Sequence, residues 1–275
     1  MLEVRGLSFS VPGRGRLLTP FRKIPPIEIL RGIDLDLSAG SSLGLVGESG
    51  SGKTTLGRTL LRLLRPSAGR ILFEGRDITD LDERALRPLR ARFQMIFQDP
   101  LSALNPRRRI GDIIAAPLLA FERVASARAA RARAEALLER VGLPAHFSRR
   151  YPHELSGGQR QRIGIARAIA LDPAFIVADE IVSGLDVSSQ AQILTLLRGL
   201  VRDMGIALIF ISHDLSVVRV LCDRVLVLSA GQVVETGSTA AVFAAPASAY
   251  TRTLLDAIPL PEIDDSWIER VSLAD

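Results

Sequence analysis

The strongest constraint on this chain is the run Gly47-Glu48-Ser49-Gly50-Ser51-Gly52-Lys53-Thr54. It fits the spacing G-x-x-x-x-G-K-[ST], and its surroundings fit as well. An apolar stretch, Leu43-Gly44-Leu45-Val46, leads in as a strand, and a helical pattern over residues 54–64 leads out, stopping near Pro66. Glycines in such a turn let successive N–H groups point inward at phosphate oxygens. The helix that follows adds the positive end of its dipole. Lys53 is a flexible point charge suited to β- and γ-phosphates, and the Thr54 hydroxyl suits Mg²⁺, a hard cation that prefers oxygen. Thr55 is placed toward the α-phosphate. The plain alternative is a glycine-rich turn with an incidental lysine, and the strand–loop–helix context argues against it. The motif alone specifies a nucleotide phosphate, not a machine.

The 275 residues suffice for one large α/β domain with a small appendage. Strand-like alternation covers residues 2–8 and 33–37, and residues 12–27 between them read as a loop or long hairpin connection. A strand is expected at 70–73 and a turn at 74–77. From about 100 to 155 the texture becomes helical. Residues 122–141 predict one Ala/Arg-rich helix with Ala130, Ala134, Leu137, Leu138 and Val141 on one face, ended by Gly142 and Pro144. Strands resume at 175–178, 207–211 and 225–228, with helices at 188–203 and 215–221. Alternating strands and helices imply a largely parallel sheet covered on both faces, with the helical stretch inserted into it.

No apolar run approaches the ~18 residues of a membrane-spanning helix, the longest being 113–121 and 206–211. The first residues lack the pattern of a secretory signal, and the single Cys222 cannot form an intramolecular disulfide. Both observations favour a reducing, cytosolic setting. The net charge is +5, and only Lys23 and Lys53 are lysines. Genome composition is the first explanation of the arginine bias, and contact with acidic partners or lipid headgroups the second.

Residues 175–180 form an apolar strand ending in two carboxylates, Asp179 and Glu180. An ordinary buried strand with an acidic end is the alternative. With a phosphate loop upstream, a carboxylate at a neighbouring strand end holds Mg²⁺, a role assigned to Asp179. Glu180 points elsewhere and serves as general base or positioner of the attacking water.

Leu155-Ser156-Gly157-Gly158-Gln159 is a second glycine-rich anion site at a helix start. Here the chain resembles the ATP-binding cassette (ABC) ATPase family, whose signature is LSGGQ. The resemblance covers about residues 1–239 and implies an α/β P-loop NTPase core with an N-terminal antiparallel β part. It also implies a helical subdomain inserted at about 99–158, and residues 240–275 form a C-terminal extension. In that family the signature meets the γ-phosphate held by the opposite subunit's P-loop. Further motifs follow in family order. Gln98 matches the glutamine that reaches metal and attacking water. Ser183, Gly184, Leu185 and Asp186 match the D-loop that crosses the dimer interface. His213 matches the switch histidine that senses the γ-phosphate. The implied metal set is Thr54, Gln98 and Asp179. Two departures stand out. Val11 occupies the position of the usual adenine-stacking aromatic, with Phe9 two residues earlier. Ile181-Val182 stand where many members have Pro-Thr.

Within the family the chain is most similar to ATPase subunits of oligopeptide, dipeptide and nickel importers. Residues 97–106 (FQDPLSALNP), Tyr151-Pro152-His153-Glu154, and a tail carrying Phe243, Pro246, Tyr250, Thr251, Leu254 and Leu255 bear that likeness. It implies binding and hydrolysis of ATP with Mg²⁺ at the cytoplasmic face of the inner membrane, as a peripheral subunit. The implied partners are two membrane-spanning permease subunits, a second ATPase subunit (a paralogue or a copy of itself) and, indirectly, an external solute-binding protein. No nucleic-acid partner is expected. The competing class is a soluble ABC ATPase acting on nucleic acid or ribosomes, which the basic charge keeps in view. The absence of a long coiled coil, zinc-like cysteine pairs and a second cassette argues against it.

Overall fold

The structure is a computed structural model that describes residues 1–13, 25–99 and 103–257. Among the described residues the chain divides into two compact units, residues 1–86 with 209–257, and residues 87–208. The division falls inside one strand, Ala207–Ile211.

The first unit opens on β1 (Leu2–Val11) and β2 (Ile27–Leu37), paired antiparallel. β4 (Ala68–Phe73) and the two-residue β5 (Arg76–Asp77) complete a sheet of order β2-β1-β4-β5. Alternation explains the pairing: Leu2, Val4 and Leu7 are buried while their neighbours Glu3 and Arg5 face water. The connection expected at 12–27 falls partly outside the described residues, and its last residue, Ile27, already belongs to β2. The turn at 74–77 is a tighter hairpin than anticipated. Glu74 lies at φ 51° and Gly75 at φ 78°, and Arg76–Asp77 fold back as β5.

The same unit holds β3 (Ser42–Val46), which pairs parallel with β9 (Arg224–Ser229), itself antiparallel to β10 (Gln232–Ser238). β3 is buried along its whole length, as a strand covered on both faces must be. It feeds α1 (Lys53–Leu60). That helix ends about four residues sooner than expected: Arg62 takes φ 53° and donates its Nε–H to the Ile78 carbonyl and an Nη–H to Leu81. The break occurs before Pro66 acts. α7 (Leu215–Leu221), α8 (Thr239–Ala244) and α9 (Ala249–Asp256) finish the unit.

In the second unit, α2 (Glu83–Arg90), at the boundary, leads to β6 (Phe93–Ile96), parallel to β7 (Phe175–Asp179). Between these strands lie α3 (Ile110–Ala120), α4 (Ala127–Arg140) and α5 (Gly157–Ile169), and α6 (Val187–Met204) follows β7. The helix expected over 122–141 begins only at Ala127, because the residues just after α3 form a corner. Glu122 takes φ 53°, and Ser126 accepts the Ala129 N–H at 3.2 Å as the N-cap of α4. Helical periodicity cannot register a left-handed residue, so the corner was invisible to it. The face of α4 was legible: Ala130, Ala134, Leu137, Leu138 and Val141 are all buried. Among the described residues no helix is long and apolar enough to cross a membrane.

Candidate functional site

The glycine-rich loop joins β3 to α1 within the first unit. Gly47 takes φ 147°, and a Cβ there would lie 2.0 Å from the Leu228 carbonyl oxygen. Only glycine lets the loop pass this close to β9. Ser51 N–H bonds the Glu48 carbonyl at 3.2 Å, and Gly231 N–H bonds the Ser51 carbonyl at 3.0 Å. The loop is thereby tied to itself and to the β9–β10 turn. Lys53 is buried, and its ammonium donates to the Gly47 carbonyl at 2.7 Å and the Glu48 carbonyl at 2.8 Å. Two of its three donors therefore fix the charge over the mouth of the loop. Ser49, Gly50 and the half-buried Gly52, Thr54 and Thr55 line the accessible side.

His213 belongs to the same unit. Ser212 N–H bonds the Leu45 carbonyl at 3.3 Å, so the end of β8 (Ala207–Ile211) meets the end of β3 just ahead of the loop. His213 is exposed there. Asp214 then caps α7, accepting the Ser216 N–H at 2.8 Å. Phe9 and Val11 are half-buried on β1, opposite Leu30 and Ile27 of β2. A Cβ on Gly52 would sit 3.0 Å from a Leu30 methyl, so the partner of Phe9 touches the loop while Phe9 lies one strand away.

The second unit gathers Gln98, Asp179, Glu180, the signature and the D-loop. Asp179 ends β7 and is buried. Glu180 takes φ 48°, a left-handed conformation uncommon for a residue with a side chain and typical of functional corners. That corner swings the second carboxylate away from the strand. Gln98 donates its amide N–H to Glu180 at 2.9 Å, so these two side chains meet directly. Thr54 offers a hydroxyl in the first unit, and Asp179 and Gln98 offer carboxylate and amide oxygens in the second. Each is a hard oxygen donor of the kind Mg²⁺ takes beside water and phosphate oxygens.

Ser156 and Gln159 of the signature form a reciprocal capping box on α5. The Ser156 hydroxyl accepts the Gln159 N–H at 3.3 Å, and the Gln159 side chain accepts the Ser156 N–H at 3.1 Å. Leu155 is buried, and its carbonyl accepts Arg160 at 2.7 Å. Gly157 and Gly158 let the D-loop region pack close: a Cβ on the first would meet Leu185 at 3.3 Å, and on the second Ser189 at 3.0 Å. Ser183 and Gly184 stand exposed at the turn after Glu180. Asp186 caps α6, accepting the N–H and hydroxyl of Ser189, both at 2.8 Å. The Ser189 N–H, then its hydroxyl, hold the Asp186 carboxyl below its ordinary range.

One residue at the loop was not singled out by sequence reasoning. The hydroxyl of Tyr250 on α9 accepts the Glu48 N–H at 3.0 Å. The tail pattern around Tyr250 was the available signal, but it carried no hint of which element it would meet.

A phosphate-type glycine loop between a buried strand and a helix, in a mixed α/β chain, defines a P-loop nucleotide-binding protein. Residues 30–183 match the family model described as ABC transporter, more than half of the chain, and the chain belongs to that family. It is 48% identical over 264 residues to a Brucella ovis protein provisionally named a peptide import ATP-binding protein, covering 96% of this chain and 80% of that protein. It is 50% identical over its full 275 residues to the glutathione import ATP-binding protein GsiA of Shigella flexneri, and spans 44% of that longer protein. A dimeric structure of the ATP-binding cassette MJ0796, in a post-hydrolysis state with ADP and phosphate, superposes with a TM-score of 0.77 at 28% identity. That match covers 87% of this chain and 99% of the cassette. The fold is therefore that of an ABC ATPase.

Proposed function

We propose that this chain is the ATP-hydrolysing subunit of an importer for peptides or related small solutes. The observation that carries the catalytic part is the Gln98–Glu180 hydrogen bond beside a carboxylate on a left-handed corner. It presents Glu180 in a fixed direction with an amide partner, as a base or water-positioner requires. The transport part rests on the two relatives named for import. These names favour transport over an ATPase of nucleic acid or ribosomes.

In this reading, residues Gly47 to Thr55 cradle the phosphates, with Lys53 neutralising the β- and γ-oxygens. Thr54, Asp179 and Gln98 hold Mg²⁺, which when bound neutralises phosphate charge. Either Phe9 takes the place of the stacking aromatic on the adenine, or aliphatic contact at Val11 alone holds the base. The signature of a second subunit, a copy or a paralogue, closes over the γ-phosphate, and the D-loop lies along that interface. Closure excludes water, and Glu180 with His213 orients the attacking one for in-line displacement. The subunit sits peripherally on the cytoplasmic face of the membrane. The contact with a membrane-spanning permease subunit lies around residues 94–109, where Phe97 is exposed beside Gln98. Residues 100–102 of that stretch lie outside the described residues. The external solute-binding protein selects the cargo, and no solute chemistry touches this chain.

Glu180→Gln tests the catalytic assignment. The variant is expected to bind MgATP as the parent does and to lose about 10²–10⁴-fold in turnover. Hydrolysis at the parental rate removes Glu180 from the mechanism. Cross-linking from Arg107 to a permease subunit, with a yield that changes on adding ATP, tests the docking surface.

A further inference from the structure

The carbonyl of Gly47 and the N–H of Glu48 belong to one peptide unit. Its oxygen accepts the Lys53 ammonium at 2.7 Å, and its N–H donates to the Tyr250 hydroxyl at 3.0 Å. The plane is thus held from both ends, by the loop lysine and by the C-terminal helix. This hold matters because Gly47 has no side chain to limit rotation. At φ 147° it occupies a region where glycine moves more freely than other residues. Turning the plane would carry the carbonyl away from Lys53 and remove one of the two carbonyl bonds that place its ammonium. Two bonds on one amide also polarise each other.

Tyr250 is itself fixed. Ser248 caps α9, accepting the Tyr250 N–H at 3.2 Å. Glu235 of β10 accepts Ala247 N–H at 2.8 Å and Ser248 N–H at 3.0 Å. Burial pushes the Glu235 carboxyl up, but the Thr251 hydroxyl, those two N–H groups and Arg252 together bring it below its ordinary range. Thr251 is fully buried next to it. The tail residues that resemble importer subunits therefore fasten one phenol onto the phosphate loop.

We propose that Tyr250 is a positioning residue of the nucleotide site, acting through the Gly47–Glu48 peptide on Lys53. The C-terminal extension thereby takes part in holding nucleotide. This rests on the assignment of residues 47–55 to phosphate binding. The probe is the magnesium complex of a non-hydrolysable ATP analogue, titrated into the full chain. Four forms are compared: parent, Tyr250→Phe, Lys53→Ala and the double variant. Tyr250→Phe is expected to weaken binding about three- to tenfold, the range of one lost neutral hydrogen bond. In the Lys53→Ala background it is expected to change nothing further. Equal weakening in both backgrounds, or none in either, overturns the proposal. If Lys53→Ala binds as the parent does, the phosphate-site assignment itself falls. Amide exchange gives a test that needs no variant. In the parent the Glu48 amide should exchange more slowly than those of the exposed Ser49 and Gly50, and exchange as fast as theirs overturns the proposal.

Discussion

At the scale of single residues, space and backbone angle separate glycines that look alike in the sequence. Gly47 and Gly50 both lie in the loop, and both have positive φ. A Cβ on Gly47 would collide with the Leu228 backbone, whereas one on Gly50 would meet nothing within 4 Å. Gly50→Ala is accordingly expected to cost about 1–2 kcal/mol, the left-handed penalty alone. Gly47→Ala is expected to cost well above that, and to abolish nucleotide binding, because the β9 backbone must move. Chemical denaturation with ATP titration of both variants measures the contrast. Cys222 gives a second prediction. It is buried, and burial with the neighbouring Asp223 raises its thiol well above the ordinary range. Thiol reagents should leave the native chain unmodified and label it on unfolding.

At the scale of elements, the caps explain where helices begin. Ser126 starts α4 after the left-handed Glu122, so Ser126→Ala should destabilise the chain by about 1 kcal/mol. Leu138→Ala, on the buried face of the same helix, should cost about 2–5 kcal/mol. Urea titrations of the two variants separate cap from core. Asp186 gives α6 a pH dependence. Its carboxyl is lowered on folding, so its contribution is complete above the ordinary carboxylate value of ~3.9 and is lost as pH falls through the lower folded value. Asp186→Asn should therefore flatten the acid limb of the stability curve, and thermal melts from pH 6 to pH 2 would show it. The same capping residue joins α6 to the turn after Glu180, so the stability of the helix and the geometry of that turn share one side chain.

At the scale of the whole molecule, the two glycine-rich turns have different partners to satisfy. The loop at Gly47 is completed by Lys53 and the C-terminal helix, whereas the signature is a capped, partly exposed helix start packed on the D-loop. In the head-to-tail arrangement proposed above, Ser156→Arg should retain nucleotide binding and lose ATPase activity. Mixing that variant with Lys53→Ala should restore activity at one composite site per pair. Steady-state hydrolysis across a mixing series tests it, and the absence of any restoration refutes action in trans between two copies of this chain. Much of this was legible from the chain alone. Short-range patterns specify phosphate loop, carboxylate pair, signature, and the strands they follow, because each is a local matter of spacing and periodicity. Tertiary structure decided what depends on distant segments meeting: the bond from Gln98 to Glu180 across 82 positions and the contact of Tyr250 with Glu48 across 202. Hydrogen bonds and close approaches between remote segments leave no periodic trace in sequence. They exist only once strands and helices have packed.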